Sequence, residues 1–467
     1  MNSPRPVRNR AGGVSRRQFV AGATATGAAW TLVARHVLGG AGRTAPSEVI
    51  TLAAIGVGDQ GMRDMGSFLD KSQVRVVAVC DVEVKNLTAA RNAVNAHYGD
   101  RACKTYKDYR ELLSQHKDLD ATLIVTPDHS HAVITAAALK AGKHVYCQKP
   151  FTHTIYEART LSGLTRETRR ATQLGTGPQA GEEPRLLREW IDAGAIGGVR
   201  EVHLWSNRPF WPQGMERPTD TPPVPPTLDW DLWLGPAPHR PYHPTYLPLV
   251  FRGWRDFGTG ALGDMGCYAF DIIFRVLGLR GPLAVEASGS GFAAKMWAKP
   301  EMNNESWPQA SLIRWEFAAR GSMPPVSVFW YDGGLRPVKP RHMERERPLE
   351  DEGMILVGDE GALVCGFCGQ KPRLVPAARA DAFKPPPKTL PRSIGHHEEW
   401  LRACRGGEPA GANFEFAATV TEALLLGNVA LRFPGRTLEW DWPALKVTSL
   451  PEANKYVHRD YRQGWSM

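Results

Sequence analysis

The sequence lacks the marks of a membrane or disulfide-bonded protein. Its seven cysteines are scattered and odd in number, no apolar run is long enough to cross a bilayer, and no internal repeat is present. The closely spaced pair Cys365 and Cys368 has no second pair at metal spacing, so we interpret it as structural. A chain of 467 residues without these features is typical of a globular protein of about two or three domains.

The first 46 residues contain neither lysine nor an acidic side chain, but seven arginines. These seven charges account for most of the net +9, and the remaining +2 gives no reason to expect a nucleic-acid partner. Arg16 and Arg17 stand in the run SRRQFV, ahead of a short stretch rich in glycine and alanine. The pattern predicts a twin-arginine signal over residues 1–46 and an exported, periplasmic protein. A disordered basic tail is the alternative.

A glycine-rich turn follows the first apolar run of the remaining chain. Residues 52–61 read LAAIGVGDQG and place Gly56, Gly58 and Gly61 directly after a predicted strand. Asp81 follows twenty residues later, at the end of a second apolar run. This spacing is typical of a dinucleotide site, in which the turn and a helix N-terminus hold the diphosphate. The acid would bond a ribose and repel a 2′-phosphate, which favours NAD over NADP.

The pattern from Val49 onward alternates apolar runs with helical periods. It predicts an α/β fold with a parallel Rossmann sheet at residues 47–172. The sequence pattern then changes, and its predicted strands suggest a second domain with a large, mostly antiparallel sheet at 173–435. Residues 436–467 are expected to pack on this body as an extension. The predicted strands are 49–55, 74–80, 121–125, 143–147, 199–205, 310–318, 326–331, 354–357 and 361–365, and the predicted helices are 61–70, 83–97, 106–115, 130–141, 155–170, 182–193, 394–405 and 414–430.

Five motifs at consistent spacing resemble the glucose–fructose oxidoreductase / inositol dehydrogenase (Gfo/Idh/MocA) family. They are GVGDQG with Asp81, TPDHSH at 126–131, GKHVYCQKP at 142–150, AGAIGGV at 193–199 and GDMGCYAFD at 263–271. The resemblance covers residues 49 to about 435. It implies a Rossmann domain followed by an α/β domain, an activity on sugars or polyols, and a homo-oligomer formed through the second sheet.

The resemblance also implies roles for individual residues. Lys149 matches the lysine that reaches the reacting hydroxyl, and Asp264 matches the acid of an Asp-x-x-x-His pair. A partly desolvated lysine can stabilise a developing alkoxide. The positions expected to hold the cofactor are Gly56, Val57, Gly58, Asp59, Gln60, Gly61, Met62, Asp81, Thr126, Pro127, His131, Gln148 and Lys149.

The chain departs from the family pattern where the general base is expected. Tyr268 stands in place of the histidine, and Gln148 stands in place of a glutamate. A tyrosine with its ordinary pKa near 10 accepts a proton only if neighbouring cations lower that pKa, as Lys149 could. Tyr268 is therefore either the acid/base, or hydride chemistry is slowed or absent. Gly177 and Gln179 depart similarly, so the pocket is expected to be altered.

Several other residues are candidates to contact a substrate or to bind a metal ion. Trp254 and Arg255 precede Asp264 in an aromatic, Gly-rich run and are candidates to touch a sugar. His129 and His131 stand two residues apart without a third ligand, so we predict no metal site there. The run HHEE at 396–399 opens a predicted helix, where acidic side chains suit the dipole, and is interpreted as structural.

Three functional hypotheses remain. The first is an exported NAD-dependent sugar oxidoreductase that holds its cofactor tightly, because the periplasm offers no free nicotinamide pool. The second is redox-assisted cleavage of a glycosidic bond with recycled NAD. The third is a non-catalytic protein that retains NAD and binds carbohydrate.

Overall fold

Two β-sheets organise the chain, as a computed structural model shows. The structure describes residues 48–467 except 294, 341, 342 and 345. The predicted export signal at 1–46 therefore lies outside the described residues. One sheet has six strands and the other nine. In the described part of the chain, no helix combines the length and the apolar character that crossing a bilayer requires.

The first sheet is entirely parallel, as the alternating pattern predicted. Its strand order, β3-β2-β1-β4-β5-β6, reverses between β1 and β4, and in such sheets ligands bind at the carboxyl ends of the strands beside that point. The elements are β1 Ile50–Ile55, α1 Asp59–Leu69, β2 Val74–Cys80, α2 Val84–Tyr98, β3 Lys104–Tyr106, α3 Tyr109–Gln115, β4 Ala121–Ile124, α4 Asp128–Lys140, β5 His144–Cys147, α5 Ile155–Thr168 and β6 Thr172–Leu174.

The second sheet is mixed and mostly antiparallel, which confirms the predicted fold class. Its order is β13-β12-β11-β7-β10-β9-β8-β14-β15, and β7 and β10 form its parallel pair. The elements are α6 Glu183–Asp192, β7 Val199–Trp205, α7 Trp230–Leu234, α8 Cys267–Leu277, β8 Ala284–Gly289, β9 Ser311–Phe317, β10 Val326–Tyr331, β11 Gly353–Gly358, β12 Gly361–Cys365, β13 Arg373–Val375, α9 Ala377–Ala382, α10 His396–Cys404, α11 Phe414–Ala430, β14 Leu438–Asp441 and β15 Lys446–Val447.

Two late helices return to the first sheet. Trp400 of α10 joins the apolar core on one face of that sheet, and Phe414 of α11 joins the core on the other face. The later turns of α11, including Leu424, belong to the core of the second sheet. Because one continuous helix contributes to both cores, it fixes the position of the second sheet relative to the first.

The C-terminal residues also join both parts of the protein. β14 pairs with β8 at the edge of the second sheet. Further along, Arg459 forms an ion pair of 2.8 Å with Glu157 of α5. Glu157 also completes a reciprocal capping box with Thr154, which explains why α5 begins at Ile155. The chain end thus lies against the loop between β5 and α5.

Candidate active site

The turn after β1 requires glycine at two positions. Gly56 has φ +80°, and a Cβ there would lie 2.5 Å from the carbonyl oxygen of Val125. A Cβ on Gly61 would lie 2.0 Å from the carbonyl oxygen of Gly56. Gly58 differs, because its Cβ would meet only the Asn86 side chain at 3.6 Å. The turn therefore packs closely against neighbouring backbone at Gly56 and Gly61, whereas there is open space beside Gly58.

The start of α1 beside this turn offers free hydrogen-bond donors. Gly58 is the N-cap residue and supplies no side chain to bond the first N–H groups. Asp81 lies against the same turn, because its carboxylate accepts 2.8 Å bonds from the N–H groups of Val57 and Glu83. Burial raises the pKa of Asp81, although these bonds oppose the rise. The predicted diphosphate and ribose positions are thus adjacent.

The remaining predicted cofactor positions lie at the ends of neighbouring strands. Thr126 and Pro127 follow β4 directly, and the hydroxyl oxygen of Thr126 is buried without a hydrogen-bond partner among the described residues. Asp59, Gln60 and Met62 lie in the first turn of α1. The uncapped helix, the open side of Gly58 and the unpartnered hydroxyl together fit a dinucleotide across the carboxyl ends of β1, β2 and β4.

His131 braces the loop that carries Lys149. Its Nδ1 lies 2.6 Å from the carbonyl oxygen of Pro150, and its Nε2 lies 2.7 Å from that of Thr126. Carbonyl oxygens only accept hydrogen bonds, and the charged imidazole, which carries an N–H on each nitrogen, satisfies both of them. Burial alone would lower the pKa of His131, but Cys147, Asp128 and the Pro150 carbonyl raise it to about 9. The ring therefore positions the active-site loop.

Replacing His131 by glutamine is expected to lower the free energy of unfolding by about 2–3 kcal/mol near neutral pH, since two charged hydrogen bonds are lost. The folded-state pKa is above the ordinary value of 6.5, so the stabilisation is complete below pH 6.5 and disappears as pH rises through about 9. Chemical denaturation of both proteins at several pH values measures this. A difference that stays constant up to alkaline pH would show that the ring is neutral.

Lys149, Asp264 and Arg252 form a compact charged cluster between the two domains. The Lys149 ammonium lies 2.9 Å from Oδ1 of Asp264 and 3.2 Å from its carbonyl oxygen. The Arg252 guanidinium reaches the same Oδ1 at 2.8 Å. Asp264 belongs to the π-helical turn Leu262–Gly266 ahead of α8, a local widening that is frequent at functional sites.

The cluster has a fixed charge pattern. Burial alone would raise the pKa of the Asp264 carboxyl, but Lys149 and Arg252 outweigh it and lower that pKa to about 2. Burial opposes the charged form of Lys149, yet Asp264 keeps the pKa of Lys149 above its usual value. Lys149 and Arg252 thus share the Asp264 carboxylate, and Arg252 is also within reach of the charge of Asp128. The two cations favour an anionic oxygen on a bound molecule.

Tyr268 lies beside this cluster with its ring centre 5.1 Å from the Lys149 ammonium. Lys149 does lower the pKa of Tyr268, as the hypothesis of a tyrosine base required. Burial outweighs that effect and raises the pKa to about 12. Tyr268 is therefore a protonated phenol that can donate a hydrogen bond, and it is not a ready base.

Gln148 is explained by its neighbour Asp64. The Gln148 amide nitrogen donates a 2.7 Å bond to Asp64, and its oxygen accepts a 2.8 Å bond from the Lys149 N–H. A glutamate at position 148 could keep the second bond but not the first, because a carboxylate only accepts. The amide of Gln148 is therefore the group that can donate a hydrogen bond to the Asp64 carboxylate on α1.

Substitution Gln148→Glu is expected to destabilise the protein by about 1–2 kcal/mol near pH 8, because two carboxylates would face each other. Such a pair raises the pKa of one carboxyl, so the loss should shrink as the pH falls. Thermal unfolding checks this. The double variant Asp64→Asn, Gln148→Glu removes the repulsion and should recover the stability, and failure to recover would exclude this explanation.

The two predicted substrate residues lie elsewhere. Trp254 is 1% exposed and donates its indole N–H to the Thr245 carbonyl oxygen at 2.8 Å. Arg255 is 4% exposed, bonds the Ser306 carbonyl oxygen at 2.9 Å, and lines a cavity to which Lys149, Asp264 and Tyr268 do not contribute. Arg252, which sequence reasoning missed, occupies the place at Asp264 instead. The signal was an arginine in the same aromatic run, twelve residues before Asp264.

The residues considered as metal ligands have structural surroundings instead. The ring nitrogens of His129 lie 3.2 and 2.9 Å from the carbonyl oxygens of Phe257 and Trp233, so it does not share a ligand with His131. Across the described ranges, no group of three or more His, Cys, Asp or Glu side chains could hold a metal ion. Cys365 and Cys368 are free thiols whose pKa burial raises to about 12. His396 begins helix α10, as predicted.

Two family models match successive parts of the chain. Residues 50–176 match the GFO_IDH_MocA model described as "Oxidoreductase family, NAD-binding Rossmann fold". Residues 196–294 match the model described as "Oxidoreductase family, C-terminal alpha/beta domain". The inositol 2-dehydrogenase of Salmonella typhimurium is 33% identical over 135 residues, which are 28% of this chain and 38% of that protein. Glycosyl hydrolase family 109 protein 2 of a Shewanella species is 27% identical over 202 residues, 40% of this chain and 44% of that protein.

This chain thus matches less than half the length of these curated relatives. The structural similarity to solved proteins covers more of the chain than the sequence matches do. The WlbA dehydrogenase from Bordetella pertussis superposes with a TM-score of 0.57 at 14% identity, over 84% of this chain and 99% of that one. The aldose-aldose oxidoreductase from Caulobacter crescentus gives a TM-score of 0.53 at 16% identity, over 84% and 99%. With both domain models matched in order between residues 50 and 294, this chain belongs to the Gfo/Idh/MocA oxidoreductase family.

Proposed function

We propose that this chain is an NAD-dependent oxidoreductase that acts on a hydroxyl-bearing carbon of a sugar, polyol or sugar derivative. The observation that carries the proposal is the Lys149–Asp264 pair, which places an ammonium group at the carboxyl edge of the sheet that also carries the glycine turn. The match of residues 50–176 to an NAD-binding Rossmann model supports the cofactor half of the proposal, and the inositol 2-dehydrogenase relative supports the polyol half.

The residues that would hold NAD are those around the turn. Gly56, Gly58 and the uncapped start of α1 suit the diphosphate, and Asp81 suits the adenosine ribose. Thr126 and Gln148 lie at the ends of β4 and β5, toward the charged cluster. NAD, when bound, takes up or returns a hydride. The carboxylate of Asp81 disfavours a 2′-phosphate, so NAD is proposed rather than NADP.

The protein's own groups control the proton. Lys149 is charged at neutral pH, so it is ready to donate a proton to an oxygen that becomes an alcohol. In the oxidative direction Lys149 must first have lost this proton, so that its neutral amine accepts the proton of the substrate hydroxyl. Arg252 then stabilises the alkoxide, and Asp264 holds both side chains in place. Tyr268 supplies a further donor. The pKa of Lys149 is raised, so oxidation should become faster as the pH rises and the neutral amine becomes more populated, while reduction keeps its proton donor across the neutral range.

A second candidate is cleavage of a glycosidic bond through transient oxidation. The glycosyl hydrolase family 109 relatives favour it, because their match extends over 202 residues against 135 for the inositol dehydrogenase. Such a reaction leaves the cofactor unchanged overall. It therefore suits a protein that is exported with its cofactor bound. We propose that the signal at 1–46 directs such export.

We also propose a homo-oligomer formed through the second sheet.

One experiment separates these candidates. The purified mature protein is denatured, and the released nucleotide and its redox state are identified. The native protein is then offered a pool of carbohydrates while the absorbance of the bound nicotinamide is followed. A net absorbance change supports the oxidoreductase, and release of phenol from an aryl glycoside without a net change supports the cleavage. Retained NAD without either signal would leave a non-catalytic carbohydrate-binding protein.

A further inference from the structure

The cavity that Arg255 lines lies apart from the charged cluster. It measures about 360 Å³ and lies where the loop after Pro150, the segment around Arg255, helix α11 and the C-terminal residues meet. Neither Lys149 nor Asp264 lines it. Its wall therefore combines both domains and the chain end, and the oxidoreductase proposal uses none of its residues.

Unsatisfied polar atoms are concentrated in this cavity. Among the described residues, the buried side-chain atoms without a hydrogen-bond partner include both ring nitrogens of His153, Nη1 of Arg255, Oδ1 of Asn428 and Nη1 of Arg459. All four residues line the cavity. Buried polar groups in folded proteins are almost always paired, because an unpaired group loses its hydration without compensation. Such a concentration indicates a place for a polar ligand.

Two arginines of the wall also lack a counter-ion. Neither Arg255 nor Arg432 forms an ion pair with a described carboxylate, although Arg255 is 4% exposed. Arg432 lies over the Tyr456 ring at 4.2 Å. Burial, and next the charge of Arg432, lower the pKa of Arg255 to about 9, so the two guanidinium groups repel each other. A buried charge is costly unless it is paired.

The nearby carboxylates do not balance this charge. Asp256 and Glu305 are the carboxylates whose charge reaches these arginines. Both already pair with Arg217 and Arg240, two arginines that do not line the cavity. Glu157 is already paired with Arg459. Asp460 lies at the exposed chain end, as does Lys455. The inner wall is thus left with two guanidinium groups and neutral polar atoms.

We propose that this cavity binds a small oxyanion, a carboxylate or phosphate group held by Arg255 and Arg432. Guanidinium forks match the planar oxygens of either group. The Asn428 amide already donates to the Thr259 carbonyl oxygen at 2.9 Å, so its free oxygen requires a donor. The ligand therefore also carries a hydroxyl, as hydrogen phosphate and hydroxycarboxylic acids do. Neutral His153 supplies a further bond, since burial keeps its pKa well below the usual value.

Thermal unfolding tests the site. Millimolar inorganic phosphate or lactate, each compared with sodium chloride at equal ionic strength, should raise Tm by about 2–4 °C. Phosphate could also bind at the glycine turn, so the titration is repeated in the variant Gly58→Asp, where the shift should persist. A shift with phosphate alone or with lactate alone identifies which of the two anions the site takes. No shift with either anion overturns the proposal.

Variants locate the effect. Arg255→Met should abolish the anion-dependent shift, although this variant also loses the bond to the Ser306 carbonyl oxygen. Arg432→Met should abolish the shift as well, yet Tm without anion should hold or rise, because a buried unpaired charge is removed. A purely structural arginine would instead lower Tm without anion. Arg436→Met, at an exposed arginine four residues after Arg432 that does not line the cavity, is the matched control and should keep the shift. If either cavity variant keeps the shift, or if both fail to fold, the oxyanion site is excluded.

Discussion

The substitution Lys149→Met is expected to reduce kcat for sugar oxidation or reduction by about 10²–10⁴-fold, the usual contribution of a positioned acid or base. Binding of nucleotide and the fold should be retained. The reason is that Asp264 keeps its 2.8 Å bond to Arg252, so no carboxylate is left without a partner. Single-turnover kinetics measure the loss.

The exposed Lys140, at the end of α4 in the same domain, offers the matched control. Lys140→Met removes an equal charge without touching the cluster, and it should leave kcat unchanged. If Lys149→Met retained more than about a tenth of the activity, the ammonium group would have no catalytic part. Loss of nucleotide together with activity would instead assign Lys149 to cofactor binding.

The substitution Gly58→Asp is expected to weaken NAD binding by about 10²–10³-fold, as the repulsion of two close negative charges implies. The new carboxylate would occupy the open side of the turn, at the helix start that we assign to the diphosphate. The same substitution should leave Tm of the nucleotide-free protein unchanged or higher, because aspartate is a preferred N-cap residue. Calorimetric titration and thermal unfolding measure the two effects.

Two further glycines sharpen this test. Gly66→Asp adds the same charge to α1 at a position where a Cβ has open space, and it should bind NAD normally. Gly61→Ala should lower Tm, since its Cβ would lie 2.0 Å from the Gly56 carbonyl oxygen. Normal NAD affinity in Gly58→Asp would place the nucleotide elsewhere.

Most of the fold follows from local pattern. Strand Val199–Trp205 and helix Phe414–Ala430 begin and end where periodicity predicted. Helix Cys267–Leu277 was not predicted, because the glycine-rich residues before it give no sequence signal for a helix start. The short strands β3, β6 and β13 carry too few residues for a period to show. The double role of α11 depends on tertiary packing that no local window contains.

The site was predictable only in part. Glycine spacing indicated the turn, and the family resemblance suggested Lys149 and Asp264, which lie 115 positions apart and meet at 2.9 Å. The role of Arg252 at Asp264 depends on how the aromatic segment folds back, which spacing does not reveal. The Tyr268 pKa depends on burial, which sequence does not supply and which reversed the expected direction.

Transfer of label tests the central claim most directly. The protein is loaded with NAD, and the carbohydrate pool is supplied with deuterium on the hydroxyl-bearing carbons. Mass spectrometry of the released nucleotide then follows deuterium at the nicotinamide ring. The account predicts labelled nicotinamide from the native protein and almost none from Lys149→Met. Equal labelling in both proteins, or a native chain that binds no nucleotide, would contradict it.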